Sequence, residues 1–471
     1  MKNKIIYKYL SKVLVGFSFL LIVPIIVSLI YKENYIIFFI PLLISLFIGL
    51  LLKLIKTEEK SIYAKDGFII VALSWIIISI ISALPYYLSQ NASFIDSIFE
   101  SVSGLTTTGA SIFTDVEKLE KSILFWRSFT HFIGGMGVLA FVMAIIPLSK
   151  NDKSMYVLKA EMPGPTVAKL VPSIKKTLFY LYSIYIGLTL LEIILLLLGK
   201  MPLFDSILLS MGTAGTGGFS LLNSSIASYS VYSKYVIAIF MFLFGINFNV
   251  YFLIIMKKFK FALKSEELKF YILMVIFSII FITLNTLDLF NNLKDAILFN
   301  TFHVSSIVTS TGYSIGDINI YPTSVRMLLL CLMLVSACAG STCGGFKISR
   351  LLICLKVIKR DFLKAIHPNN VHVIKYEGKK VDNETVNATC TFMFLYIIII
   401  IAITMIVSFD GFTVEQTINA VFTTFGNVGL CFEIGAFNVF SDLSKIVLSI
   451  GMLLGRLEIL PLIVLFSDLR K

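Results

Sequence analysis

Apolar runs of about 20 residues follow one another along the whole chain, separated by short polar stretches. The strict alternation of a membrane barrel is absent, so each run reads as a helix long enough to cross a bilayer. Ten such spans can be marked, near 12–31, 35–52, 66–88, 123–148, 178–198, 232–256, 270–289, 325–352, 388–409 and 443–466. The opening MKNKIIYKYLSKVLVGFSFLLIVPIIVSLI begins like a signal peptide. Its apolar run is too long for one and has no small-residue cleavage site, so a retained first span is expected.

Four of the polar stretches share a pattern. FIDSIFESVSGLTTTGAS (94–111) and LFDSILLSMGTAGTGGFS (203–220) both carry Asp-Ser-Ile, at Asp96 and Asp205, and both reach a glycine at the same distance, Gly109 and Gly218. NTFHVSSIVTSTGYS (300–314) ends its polar run before Gly312, and QTINAVFTTFGNVGL (416–430) ends in Gly-Asn-Val before Gly429. This is an internal repeat. The expected fold is an all-α polytopic membrane protein of four pseudo-symmetric units, each of span, short re-entrant helix and span. An N-terminal two-helix hairpin precedes them. The boundaries fall at 1–60 for the hairpin and 61–150, 151–262, 263–385 and 386–471 for the units.

Composition supports the membrane reading. The 471 residues are 57% hydrophobic and 14% charged, with a mean hydropathy of +0.91, too apolar to clothe a soluble surface. The formal net charge of +12 raises the question of nucleic acid, but the distribution of charge answers it. Most Lys and Arg fall in the termini and in loops that would share one side, whereas the opposite five loops hold only Lys32, Lys118, Lys121, Lys200 and Lys294. That asymmetry puts both termini in the cytoplasm and makes nucleic acid a poor partner. The six cysteines have no metal-ligand spacing, and four histidines with few carboxylates in the spans form no catalytic constellation. The chain does not read as an enzyme.

Backbone inside a bilayer must be hydrogen-bonded unless it is buried in protein or lines a cavity. A Thr- and Gly-rich run at that depth leaves carbonyl oxygens free, and four runs around one axis could replace the hydration shell of a cation. The helix before each run would point its C-terminal, negative end at the site, which also favours a cation. An anionic or organic substrate would want helix N-termini or fixed Lys and Arg, which the runs lack. A monovalent cation fits best. Moving inward it gains about 2.3 kcal/mol per 100 mV, so uptake needs no chemistry in this chain and no organic cofactor.

At these residues the chain resembles the Trk/Ktr/HKT superfamily of potassium transporters, and specifically its bacterial TrkH-type. WRSFTHFIGGMGVLAF (126–141), CAGSTCGGFKISR (338–350) and GRLEILPLIVLF (455–466) are similar to that family's pore-lining spans. The resemblance implies one pore per chain, a homodimer, and K+ as the ion. It implies a filter of Thr106, Thr107, Thr108 and Gly109; Thr216, Gly217 and Gly218; Ser310, Thr311 and Gly312; and Asn427, Val428 and Gly429. In plant relatives a serine at the first filter glycine accompanies sodium transport; this chain has Gly109. The resemblance further implies an intramembrane gate of Ala339, Gly340, Ser341, Thr342, Cys343, Gly344 and Gly345, with Arg456 as an electrostatic barrier. From composition alone, 336–347 could instead be a closely packed helix, although Gly340, Gly344 and Gly345 would each cost it about 1 kcal/mol. Cys343 stands where a further glycine would be expected. Arg456, at roughly 2.5 kcal/mol or more in a bilayer centre, could instead pair with Glu458 or carbonyls. Two residues apart on a helix do not face each other, which makes the Glu458 pair poor. Arg127 reads as an interfacial anchor, and His131 and His303 as packing or hydrogen-bonding residues.

The family implies cytoplasmic TrkA-type regulatory subunits that bind NAD(H) or ATP/ADP. They would dock on basic inner loops 149–177, 256–269 and 350–387, with the chain itself in the bacterial cytoplasmic (inner) membrane. The alternatives are the potassium-translocating subunit of a Kdp-type pump and a less selective Na+/K+ transporter.

Overall fold

The computed structural model describes residues 4–55, 63–137, 174–370 and 372–469. Helices α1 (Ile5–Leu20) and α2 (Ile22–Tyr31) form one apolar span, and α3 (Ile36–Lys53) packs back along it. The span starts earlier than residue 12 because Ile5, Ile6, Tyr9 and Leu10 bury one helical face. Ser11 Oγ donates to the Gly49 carbonyl at 2.6 Å and Ser45 Oγ to the Leu14 carbonyl at 2.8 Å, which locks the hairpin through polar groups that lipid cannot satisfy.

The first repeated unit comprises α4 (Ala64–Leu88), α5 (Phe94–Leu105) and α6 (Lys121–Gly135). In the second, α7 (Ile174–Leu198) and α8 (Leu203–Gly215) are followed by α9 (Val231–Phe244), which bends by 92° into α10 (Phe248–Ile255). A short helix, α11 (Phe259–Ala262), leads to the third unit: α12 (Glu266–Thr286), α13 (Leu293–Val308) and α14 (Thr323–Leu334), then a loop, then α15 (Ile348–Ile366). The fourth has α16 (Asn383–Val407), α17 (Val414–Phe425), α18 (Asp442–Leu457) and α19 (Leu460–Leu469). Among the described residues, strands are confined to two-residue pairs, β1 (Val335–Ser336) with β2 (Phe346–Lys347) and β3 (Lys375–Tyr376) with β4 (Lys379–Lys380).

The middle helix of each unit is too short to cross a membrane: the 12 residues of α5 reach about 18 Å, against a hydrocarbon core of about 30 Å. Each starts with an acidic side chain in its first turn, Asp96, Asp205, Asp295 or Glu415, where the helix dipole favours negative charge. Ser93 caps α5 and a Thr413–Gln416 capping box opens α17. Polarity is inverted relative to a soluble protein. Phe47, Leu190, Ile276 and Phe394 lie exposed on the outer helices, whereas Ser101, Ser210, Asn300 and Thr423 on the short helices are buried.

Among the described residues, six helices are long and apolar enough to span a bilayer, and the bent α9–α10 pair makes a seventh. The remaining three of the ten expected spans are not continuous helices in the described chain. The run expected at 123–148 passes out of the described residues after 137, 325–352 is opened by the loop between α14 and α15, and 443–466 is broken at Glu458 and Ile459, both in left-handed backbone.

Candidate functional site

The four short helices end in the same turn. At each C-terminus two amides fold back to the helix: Thr107 N–H to Gly104 O at 3.2 Å and Thr108 N–H to Ser103 O at 2.9 Å. Thr216 and Gly217 repeat this onto Thr213 and Gly212, Ser310 and Thr311 onto Ile307 and Ser306, and Asn427 and Val428 onto Thr424 and Thr423. This pair of bonds is a Schellman motif, which normally places glycine at its left-handed position. Here that position holds Thr107 (φ 56°), Thr216 (55°), Ser310 (51°) and Asn427 (56°). β-Branched residues resist such backbone, so the strain at Thr107 and Thr216 marks a place where geometry is imposed by the surroundings. Two residues on, Gly109, Gly218, Gly312 and Gly429 return to positive φ, between 75° and 83°.

The turns interlock in a closed cycle. A Cβ added to Gly109 would lie 1.9 Å from the Gly217 carbonyl oxygen, one at Gly218 2.0 Å from that of Thr311, one at Gly312 2.0 Å from that of Val428, and one at Gly429 2.2 Å from that of Thr108. Each unit therefore presses its glycine on the carbonyl of the next, and the fourth closes on the first. Among the described residues no hydrogen bond reaches the carbonyls of Thr108, Gly217, Thr311 or Val428. Four unsatisfied oxygens in one buried ring suit a ligand that accepts lone pairs, which is a cation.

The hydroxyls are engaged elsewhere. Thr106 Oγ1 donates to Val102 O at 2.7 Å and lies 2.8 Å from Thr108 Oγ1; Thr309 and Thr311 repeat the arrangement. Asn427 Nδ2 donates to Thr108 Oγ1 (2.9 Å) and Met452 O (3.0 Å), joining the fourth turn to the first. His131 supports the ring from behind: its Nδ1 lies 2.8 Å from Gly104 O, and Nε2 accepts the Phe219 N–H at 3.2 Å.

Beneath the ring, β1 and β2 pair in parallel and pinch the ends of the 337–345 loop together. Gly340 and Gly345 need left-handed backbone (φ 73° and 69°), whereas Cys343 does not, so no glycine is required at that position. Gly344 is the point of closest approach: its N–H donates to Ser310 Oγ at 3.2 Å, and a Cβ there would meet Asn427 Oδ1 at 2.5 Å. Arg456, 8% exposed, lies alongside. Its guanidinium donates to Thr107 Oγ1 (3.2 Å), Thr342 O (2.7 Å), Gly134 O (2.6 Å) and Gly135 O (2.7 Å). Glu458 pairs instead with Arg350. A cavity of about 50 Å³ bordered by Gly135, Gly137, Gly340, Ser341 and Arg456 lies at this level, above the roughly 10–15 Å³ that a water needs by the same measure.

Several residues at the site escaped the sequence reading. Lys347, 1% exposed, donates to the Cys343 carbonyl and adds a second positive charge beneath the ring; a lysine two residues after the Gly344–Gly345 pair in an apolar run was the available signal. Arg127 is not an interfacial anchor. It is 2% exposed and pairs with fully buried Glu100 at 2.8 Å. Glu100 also accepts from Ile112 N–H (2.9 Å) and Ser111 Oγ (3.0 Å), while Arg127 reaches Ser220 O (3.1 Å) and stacks on Phe219 at 4.1 Å. The pair thus clamps the segments that leave the first and second turns. The basic loop expected at 149–177 lies outside the described residues up to 173.

A family model described as a cation transport protein, TrkH, matches residues 36–470. The chain belongs to the TrkH family. Among its relatives in that family, the Trk system potassium uptake protein TrkG of Escherichia coli K12 is 34% identical over 464 residues, covering 96% of this chain and 95% of TrkG. The TrkH protein of Salmonella typhimurium is 32% identical over 480 residues, covering 99% of both chains. The crystal structure of the potassium transporter TrkH from Vibrio parahaemolyticus superposes with a TM-score of 0.89 at 28% identity, covering 99% of this chain and 98% of that one. The chain is accordingly a polytopic all-α membrane protein of a cation-transporting family.

Proposed function

We propose that the chain is the ion-conducting subunit of a potassium uptake system of the bacterial cytoplasmic membrane, with both termini cytoplasmic. Units bounded near 61–150, 151–262, 263–385 and 386–471 surround one pore behind the 1–60 hairpin. K+ sheds water at the ring built on Thr106–Gly109, Thr216–Gly218, Ser310–Gly312 and Asn427–Gly429. The 339–345 loop and Arg456 obstruct the path below, the arginine by charge as well as bulk. The protein works as a homodimer with TrkA-type cytoplasmic subunits, binding NAD(H) or ATP/ADP, that dock on the basic inner loops.

The observation that carries this reading is the closed cycle of four glycine-to-carbonyl contacts, whose four oxygens receive no hydrogen bond from the described residues. Its test is flux of K+, Rb+, Na+ and Li+ into proteoliposomes under an inside-negative voltage, with Gly109→Ser beside the unmodified protein. Preference for K+ and Rb+, lost in Gly109→Ser, is the expected result, because the new Cβ must displace the Gly217 carbonyl. Equal Na+ and K+ flux in the unmodified protein would overturn the K+ assignment and favour the less selective transporter.

A further inference from the structure

One carboxylate ties the intramembrane loop to the cytoplasmic face. Glu267, 3% exposed, lies in the first turn of α12. Its Oε1 accepts the Ala339 N–H at 2.7 Å and its Oε2 the Asn247 side-chain amide at 3.4 Å. Asn247 occupies the bend between α9 and α10, which grips the loop directly: Cys338 N–H donates to Gly245 O at 3.2 Å and Phe248 N–H to Gly340 O at 3.0 Å. A Cβ at Gly340 would stand 3.1 Å from Asn247 Oδ1, so loop and bend are in contact there. A carboxylate has two acceptor oxygens in one plane, and here they serve donors from two separate elements.

Glu267 is itself held from the cytoplasm. The β3–β4 hairpin turns through Glu377 (φ 50°) and Gly378 (φ 74°). Glu377 Oε1 accepts from Ser265 Oγ (2.8 Å) and from the Glu267 N–H (3.1 Å), capping α12 from a distant part of the chain. Lys356 pairs with the neighbouring Glu266 and donates to the Lys375 carbonyl at 2.7 Å. Hairpin, first turn of α12, α9–α10 bend and loop therefore form one continuous set of hydrogen bonds. The hairpin carries exposed Lys375, Lys379 and Lys380, and beside it lies a cleft of about 440 Å³ lined by Lys356, Lys359, Arg360 and Lys375. Such a surface suits an acidic partner.

We infer that Glu267 is the positioning residue that holds the loop in its obstructing place, and that Glu377 of the 375–380 hairpin fixes Glu267 there. The inference rests on the reading of 339–345 as the gate. An apolar or singly accepting side chain could not bridge Ala339 and Asn247, and α12 without its Glu377 cap would lose the support that fixes Glu267 in line with the loop.

The test uses the full chain in proteoliposomes without any partner. Rb+ flux is measured together with modification of Cys338 and Cys343 by a small water-soluble thiol reagent, with the modified sites located by mass spectrometry. Both thiols are buried in the loop. Glu267→Ala is expected to raise flux and modification about tenfold, the factor that a hydrogen bond to a charged group supplies. The isosteric Glu267→Gln, which keeps an acceptor for Ala339, is expected to raise them less. Glu377→Ala should act in the same direction, and the double variant should match Glu267→Ala alone, because the two residues lie in series. A merely structural role would lower the melting temperature while leaving modification of the folded protein unchanged, and that result would overturn the inference. Should Glu267→Ala fail to fold, Glu267→Gln with unmodified-protein levels of flux and labelling would do the same. In either case, increased flux in Arg456→Ala would show that the gate reading itself survives; an inert Arg456→Ala would sink both.

Discussion

In the ring, Thr107, Thr216, Ser310 and Asn427 share one backbone conformation and one pair of hydrogen bonds, and the following glycines share another. One layer below, the same four units part company. The chain after α6 turns at Gly137, α9 bends by 92° into α10, the third unit opens into the 337–345 loop, and α18 stops at the left-handed pair Glu458–Ile459. In the proposed function the difference follows from what each layer would do. Replacing a hydration shell would take equivalent oxygens on all sides, so a departure in one unit would be felt by the whole ring. Obstructing a passage would take one loop and one guanidinium, leaving the other units free to break their helices in ways that hold that loop.

This contrast can be broken most severely from above the ring. Arg127→Ala would leave Glu100 buried without its cation, a loss of about 3–5 kcal/mol; the expected readout is a sharply lower melting temperature in detergent, partly restored in Arg127→Lys. An unchanged melting temperature would mean that the pair does not support the turns. Next in size, Gly312→Ala places a Cβ 2.0 Å from the Val428 carbonyl on backbone at φ 82°. With strain of about 1–3 kcal/mol at a site felt by all four units, K+ flux should fall about a hundredfold. If the ring tolerates it with full flux and selectivity, equivalence of the four turns is not needed for function.

The lower layer should respond in the opposite direction. Arg456→Ala removes the hydrogen bonds to Thr107, Thr342, Gly134 and Gly135 and a charge from beneath the ring, and flux should rise about tenfold, as the loss of a charged contact worth ~1.5 kcal/mol or more implies. Unchanged flux would remove Arg456 from the barrier. The smallest effect belongs to Cys343→Gly. The backbone there is not left-handed, so flux should stay within about threefold, the cost being the ~0.5–1 kcal/mol of added chain entropy. A large gain would show that side-chain bulk at Cys343 helps to close the path.

How far the sequence could be read depends on how local each feature is. The TTTG, GTGG and TSTG runs announce the turns because a Schellman motif is made within a few residues of one helix end. Asp96 and Asp205 were visible as a repeated Asp-Ser-Ile, while Asp295 and Glu415, which open the other two short helices, stand at different offsets from their glycines and were missed. The broken spans at 325–352 and 443–466 read as continuous because the residues around their breaks are largely apolar. Arg127 was misread for the same reason: its place near the end of a span says nothing about Glu100 on another helix. Glu267 and Glu377 likewise act through partners far away in sequence, which the order of residues does not display.

The sequence by itself determined the membrane class, the four-fold repeat and the turn chemistry, because hydropathy and glycine placement act over one helix length. The tertiary structure alone decided that the turns close on each other through glycine and carbonyl, that Glu100 pairs with Arg127, and that the β3–β4 hairpin reaches the loop through Glu267. Those are relations between separate elements, from 27 residues apart for Glu100 and Arg127 upward, fixed by packing in a medium where buried polar groups must find partners within the protein.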